Sequence, residues 1–126
     1  MNFEGRVPPK LLTACRRTGL RHRLRHAHQA CIEMRMPDGS EWRLDLLDIG
    51  SGGVCFGLRD GKPPMEPGME IASVVVRIGD AAMAGSLSIA HATEEFGAGT
   101  ICGARFVPAG PSDEHTLLKV IDSLAS

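Results

Sequence analysis

The chain has 126 residues, 43% hydrophobic and 23% charged, with a formal net charge of −1. That composition fits one globular domain: too apolar for wholesale disorder, and too small for a large buried active site. The longest apolar run, residues 81–84, is far below the ~20 residues of a membrane span, and Asn2, Glu4, Arg6 and Lys10 interrupt any leader, so secretion and membrane insertion are not expected and a cytoplasmic location is.

The near-neutral total hides a segregation. No acidic residue lies between Gly5 and Ile32, where Arg6, Lys10, Arg16, Arg17, Arg21, Arg23 and Arg25 stand with His22, His26 and His28. The rest, from Glu33 on, carries 14 acids and seven bases. A block of like charge repels itself and stays mobile until a counter-charge arrives. Residues 1–20 are therefore expected to form a flexible basic arm, and 21–126 the folded body. The arm reads either as a solvated leader or as an anion-binding segment for phosphate in some form.

In the body, residues 31–36 alternate, with Ile32, Met34 and Met36 on one face. The turn signal Pro37-Asp38-Gly39-Ser40 follows, and then residues 41–46 with Trp42, Leu44 and Leu46 inward. Two alternating runs around a tight turn predict a β-hairpin. Residues 48–53, Asp48-Ile49-Gly50-Ser51-Gly52-Gly53, read as a Gly-rich loop. Strands are expected over 54–58, 71–78, 83–93 and 100–107, with a Pro- and Gly-rich loop over 61–68. Past Pro111, Ser112 suits an N-cap, Asp113 and Glu114 suit a first helical turn, and Leu117, Leu118, Ile121 and Leu124 form one stripe. The expected fold is all-β: about six short antiparallel strands in a closed or nearly closed barrel, with a C-terminal helix.

Cys15, Cys31, Cys55 and Cys102 are dispersed, without the paired spacing of a zinc site, and the last three sit in apolar or alternating runs. They read as small core residues in a reducing compartment. His22 and His26 are four apart, but arginines around them repel a cation, so no metal is expected. No nucleophile–base pair is visible, and Ile49 stands where a hydrolase elbow at Ser51 needs glycine, so no enzymatic activity is expected.

Two features carry chemistry. Arg21 and Arg25 are four apart, which places both guanidiniums on one face of a strand or a helix, suiting a ligand with several phosphates or planar acceptor edges. Three glycines follow closely on Asp48, whose carboxylate can accept from the N1–H and N2–H₂ edge of guanine. Standing alone, the glycine loop is as readily a plain turn between strands.

Together these residues resemble the PilZ family of bacterial cyclic di-GMP receptors, whose pattern is R-x-x-x-R, one hairpin, then [DN]-x-S-x-x-G. Further matches are the apolar run Val54-Cys55-Phe56-Gly57-Leu58, the turn Pro67-Gly68, and Cys102-Gly103-Ala104-Arg105-Phe106-Val107 before a short helix. The resemblance covers about residues 21 to 124 and is nearest to the PilZ half of flagellar brake proteins, whose other domain is far larger than a leader of about twenty residues. It implies a six-stranded, split-barrel PilZ-like fold. It also implies cyclic di-GMP as ligand, bound by Arg21, Arg25, Asp48, Ser51 and Gly53, with Arg17 and Gly50 as further candidates, and no cofactor.

One position departs from the pattern: the family serine falls at Gly50, and Ser51 comes one residue late. A missing neutral hydrogen bond lowers affinity by up to about tenfold unless Ser51 reaches in. The implied mechanism folds the basic arm across the barrel mouth on binding, with sub-micromolar to micromolar affinity, and offers a new surface to a protein partner in motility, biofilm or polysaccharide control. The alternative is a degenerate PilZ adaptor that binds a protein without nucleotide. Nucleic acid is a weaker rival, because the body is acidic and aromatic platforms are scarce. A monomer or weak homodimer is expected.

Overall fold

Alternation and turn chemistry build the first hairpin. In the computed structural model, which describes residues 21–24, 29–58, 65–95 and 99–125, the elements are β1 (Arg21–Arg23), β2 (Ala30–Arg35), β3 (Glu41–Gly50), β4 (Gly53–Leu58), β5 (Glu70–Ile78), β6 (Ala81–Glu95), β7 (Gly99–Pro108) and α1 (Pro111–Ala125). Between β2 and β3 the Asp38 carboxylate accepts from the Ser40 hydroxyl at 2.6 Å and the Ser40 amide at 2.9 Å, which holds its carboxyl below the usual range. Gly39 takes φ 91 there, a conformation that disfavours any side chain.

The strands pair antiparallel in the order β3-β2-β5-β6-β7-β4, and β4 returns to β3, closing a six-stranded barrel. Closure leaves these strands without a bare edge over the paired length. The expected all-β barrel is therefore the observed fold, with β1 as an addition to it. The interior is aliphatic and thioether in character: Ile32, Ile49, Val54, Phe56, Val76, Met83 and Leu87 are essentially inaccessible, and Met34, Trp42, Leu44 and Leu46 line the same core. Cys31, Cys55 and Cys102 are buried and not in disulfides, as their sequence context predicts.

Helix α1 differs in detail from its expectation. It starts at Pro111, whose missing N–H suits the first helical position, so Ser112 lies inside the helix and is not its cap. The first helical bond runs from Glu114 N to Gly110 O. Asp113 instead accepts from Ala84 N of β6 at 2.9 Å, and Ala84 O accepts from Ala109 N at 2.9 Å, which tethers the helix start to the barrel. The buried stripe runs through Leu117, Val120, Ile121 and Leu124, whereas Leu118 is 52% exposed. Counting from Leu117, steps of three, four and seven stay on one helical face; a step of one turns away from it. Among the described residues no helix is long and apolar enough to cross a membrane.

Candidate functional site

The stretch read as a Gly-rich loop is mostly strand. Asp48, Ile49 and Gly50 complete β3, only Ser51 and Gly52 turn, and Gly53 opens β4, paired with Gly50. Trp42, Leu44 and Leu46 face the core and so does Ile49, three residues on, an odd step that regular pleating forbids. A bulge at Leu47 absorbs it: Leu46 lies opposite Phe56, but Asp48 lies opposite Cys55. Unbroken alternation from Leu46 would aim Asp48 into the core and bury a carboxylate at high cost. The bulge aims Asp48 outward and restores Ile49 to the interior. The sequence reading missed this because a phase slip destroys the alternation that marks a strand.

The bulge also organises the basic segment. β1 runs antiparallel to β3 with Arg21 opposite Gly50, His22 opposite Ile49 and Arg23 opposite Asp48, and Leu24 N donates to Leu47 O at 2.8 Å. β4 occupies the other edge of β3 at these positions, so β1 shares the edge that β2 uses from Asp45 onward. β1 and β2 thus pair with the same edge of β3 at different positions, and Gln29, just before β2, takes φ 51. Arg25, with the rest of residues 25–28, is not among the described residues, nor is Arg17; of Arg21 only the backbone is described.

Side chains directly opposite in a ladder share a face. Ile49 faces inward, so Arg23, Asp48 and Gly50 belong to the outer face. The same row continues across the barrel wall: Asp48 is paired with Cys55, Cys55 with Gly103, and Gly103 with His91. Neighbouring strands are about 4.8 Å apart, so this row spans about 14 Å from β3 to β6. A second bulge, between Ile89 and His91, puts His91 on it; alternation from Leu87 and Ile89 would have sent the imidazole inward. The ring rests on Gly103, where any Cβ would collide with it. The floor between Asp48 and His91 is made of small residues, Cys55, Gly57 and Gly103, with Leu47 packed near Gly57.

The predicted residues therefore separate as follows. Asp48 is half-buried on the outer face, Gly50 is a strand residue beside Arg21, Ser51 is exposed on the turn, and Gly53 is buried at the start of β4. Arg23 and His91 were missed. Parity signals the first, since Arg23 is two residues from Arg21 in an extended segment; nothing in the sequence signals the second. Where β1 and β2 separate, a cavity of about 780 Å³ opens, lined among others by Leu24, Gln29, Cys31, Arg43, Asp45 and Arg77. Arg77 and Arg43 lie 2.9 and 3.8 Å from the Glu33 carboxylate. The exposed Arg23 beside the outward Asp48 carboxylate suits an anionic ligand with a hydrogen-bonding base. Among the described residues no group of three or more His, Cys, Asp or Glu side chains is placed to hold a metal.

No protein-family model matches the chain. It is 32% identical over 125 residues to the flagellar brake protein YcgR of Methylibium petroleiphilum, across 95% of this chain and 55% of the relative. The chain thus spans about half the length of the curated relative it matches. The fold is shared with the PilZ domain of Escherichia coli YcgR solved with c-di-GMP, at TM-score 0.64 and 22% identity over 84% of this chain and 88% of that one. It is also shared with the MrkH–c-di-GMP complex of K. pneumonia, at TM-score 0.71 and 18% identity over 83% of this chain and 49% of that one.

Proposed function

We infer that this chain, which carries a PilZ domain, is a receptor for cyclic di-GMP and not an enzyme. One observation supports the reading above the others: the β1–β3 register lays the first motif arginine beside the second motif, Arg21 against Gly50 and Arg23 against Asp48. Two sequence signals separated by a hairpin become one surface. The relatives solved with c-di-GMP share this fold, which makes that ligand the first to test.

In the proposed complex Arg21 and Arg25 hold phosphates and guanine edges through charge-assisted bonds. Asp48 accepts from the N1–H and N2–H₂ groups of a guanine, and Ser51 and Gly53 border that base. The basic arm, residues 1–20, closes over the outer face and changes the surface offered to a protein partner. Ordering costs about 1–2 kcal/mol per residue fixed, so arm closure offsets much of the contact energy and leaves sub-micromolar to micromolar affinity. The proposed setting is a cytoplasmic monomer or weak homodimer that uses no cofactor, does not bind nucleic acid, and acts in motility, biofilm or polysaccharide control.

A second reading, an adaptor that binds a protein without nucleotide, draws on Gly50 standing where the family has serine. Calorimetric titration with cyclic di-GMP separates the two. Saturable heat at tens of micromolar protein supports the receptor; none supports the adaptor.

A further inference from the structure

Arg23 is the middle residue of Arg21-His22-Arg23-Leu24-Arg25, a position the two-arginine motif leaves open. The ladder gives it a definite place. It is paired with Asp48 and is exposed on the outer face. It lies within the paired strand, next to the hydrogen bond from Leu24 N to Leu47 O. Among the described residues the close ion pairs are Arg35–Glu41, Arg43–Glu33 and Arg77–Glu33, and Arg23 is in none of them.

A solvent-exposed arginine outside such pairs is ordinary on a protein surface. The setting here is different: cross-strand Cα partners lie about 4.5–5.5 Å apart, so Arg23 stands next to the carboxylate proposed to read guanine. An extended arginine side chain reaches past that distance along the outer face to which Asp48 belongs. A cyclic dinucleotide carries two phosphates, and a guanine held at Asp48 leaves one of them near β1. We propose that Arg23 is a third ligand-binding arginine, holding the phosphate adjacent to the guanine read by Asp48. This rests on the receptor reading and deepens it: β1 contributes the Arg23 guanidinium to the face on which Asp48 stands.

The test is calorimetric titration of the full chain with cyclic di-GMP at low and high salt, using wild type, R23A, R23K and R21A, with melting temperatures measured in parallel. R23A is expected to bind about tenfold or more weakly, with a reduced salt dependence and an unchanged melting temperature. R23K, which keeps the charge and loses the planar fork, should recover part of the affinity. An R23A affinity equal to wild type, with R21A weakened, overturns the role of Arg23 and leaves the receptor reading standing. Weakening in R23A that follows a lowered melting temperature and is not relieved in R23K also overturns it, since strand support would then be the cause. Absence of heat with wild type overturns the receptor reading and this inference with it.

Discussion

Gly50→Ser restores the hydroxyl that the family pattern has and this chain lacks. Gly50 sits at the end of β3, paired with Arg21 on one side and Gly53 on the other, and it is not among the glycines at positive φ. A serine there is compatible with the backbone. The parity set by the Leu47 bulge directs its Cβ to the outer face, two residues from Asp48. One neutral hydrogen bond to ligand contributes about 0.5–1.5 kcal/mol, so cyclic di-GMP should bind about 2- to 13-fold more tightly. Replacing a strand glycine also removes unfolded-chain freedom, which is expected to raise stability by about 0.5–1 kcal/mol. Calorimetry and thermal melts on wild type, G50S and G50A separate the effects. G50A should share the stability gain without the affinity gain. Unchanged or weaker binding in G50S at an undiminished melting temperature would refute the reasoning, because it means position 50 does not look onto the ligand.

Three further outcomes follow from the same geometry. Arg21→Ala and Arg25→Ala should each lower cyclic di-GMP affinity by about tenfold or more in calorimetry, with Arg17→Ala having the smallest effect; a dominant Arg17 would place the arm in another register. Gly103→Ala drives a methyl into the His91 imidazole and should cost about 1–3 kcal/mol in denaturant melts. The double variant with His91→Ala should recover part of that loss. Burial pushes the Cys102 thiol up to about 11 from 9.0. Between about pH 9 and 11 the unfolded chain gives up that proton and the folded chain keeps it, so this thiol's contribution to stability is full below pH 9 and falls as pH rises. Native Cys102 should resist thiol reagents at pH 8 and react on unfolding.

What was legible in the sequence divides along a physical line. The hairpin of β2 and β3 could be read because Ile32, Met34, Trp42 and Leu44 alternate cleanly, and the Asp38–Ser40 contacts close the turn locally. The buried strand Val54 to Leu58 could be read from composition. β1 could not: its three residues are charged or polar and carry no apolar period, and it is a strand because β3 runs past the start of β2 and leaves an edge open. Within α1, Leu118 reads as core by composition but faces outward by angle, and Val120 takes its place. The motif itself was visible as letters. Its meaning as a surface depended on pairing partners more than twenty residues apart.

The bulges tie fold to function more closely than the motif does. In a closed barrel every strand residue faces in or out by parity, and a core this small tolerates no inward carboxylate or unpaired imidazole. Two outer-face side chains, Asp48 and His91, each follow an apolar run whose phase would carry them inside. Each is turned out by one extra residue, Leu47 before the first and Ala90 before the second. Deleting Leu47 would preserve the inward positions of Leu46 and Ile49, because regular alternation would then resume between them. It would also remove the carbonyl that accepts from Leu24 N and the side chain packed by Gly57. The expected result is a folded barrel with β1 loosened and cyclic di-GMP binding lost, read by thermal melts beside calorimetry. Full affinity in the deletion variant would show that the ligand site does not need the strand register that the bulge creates.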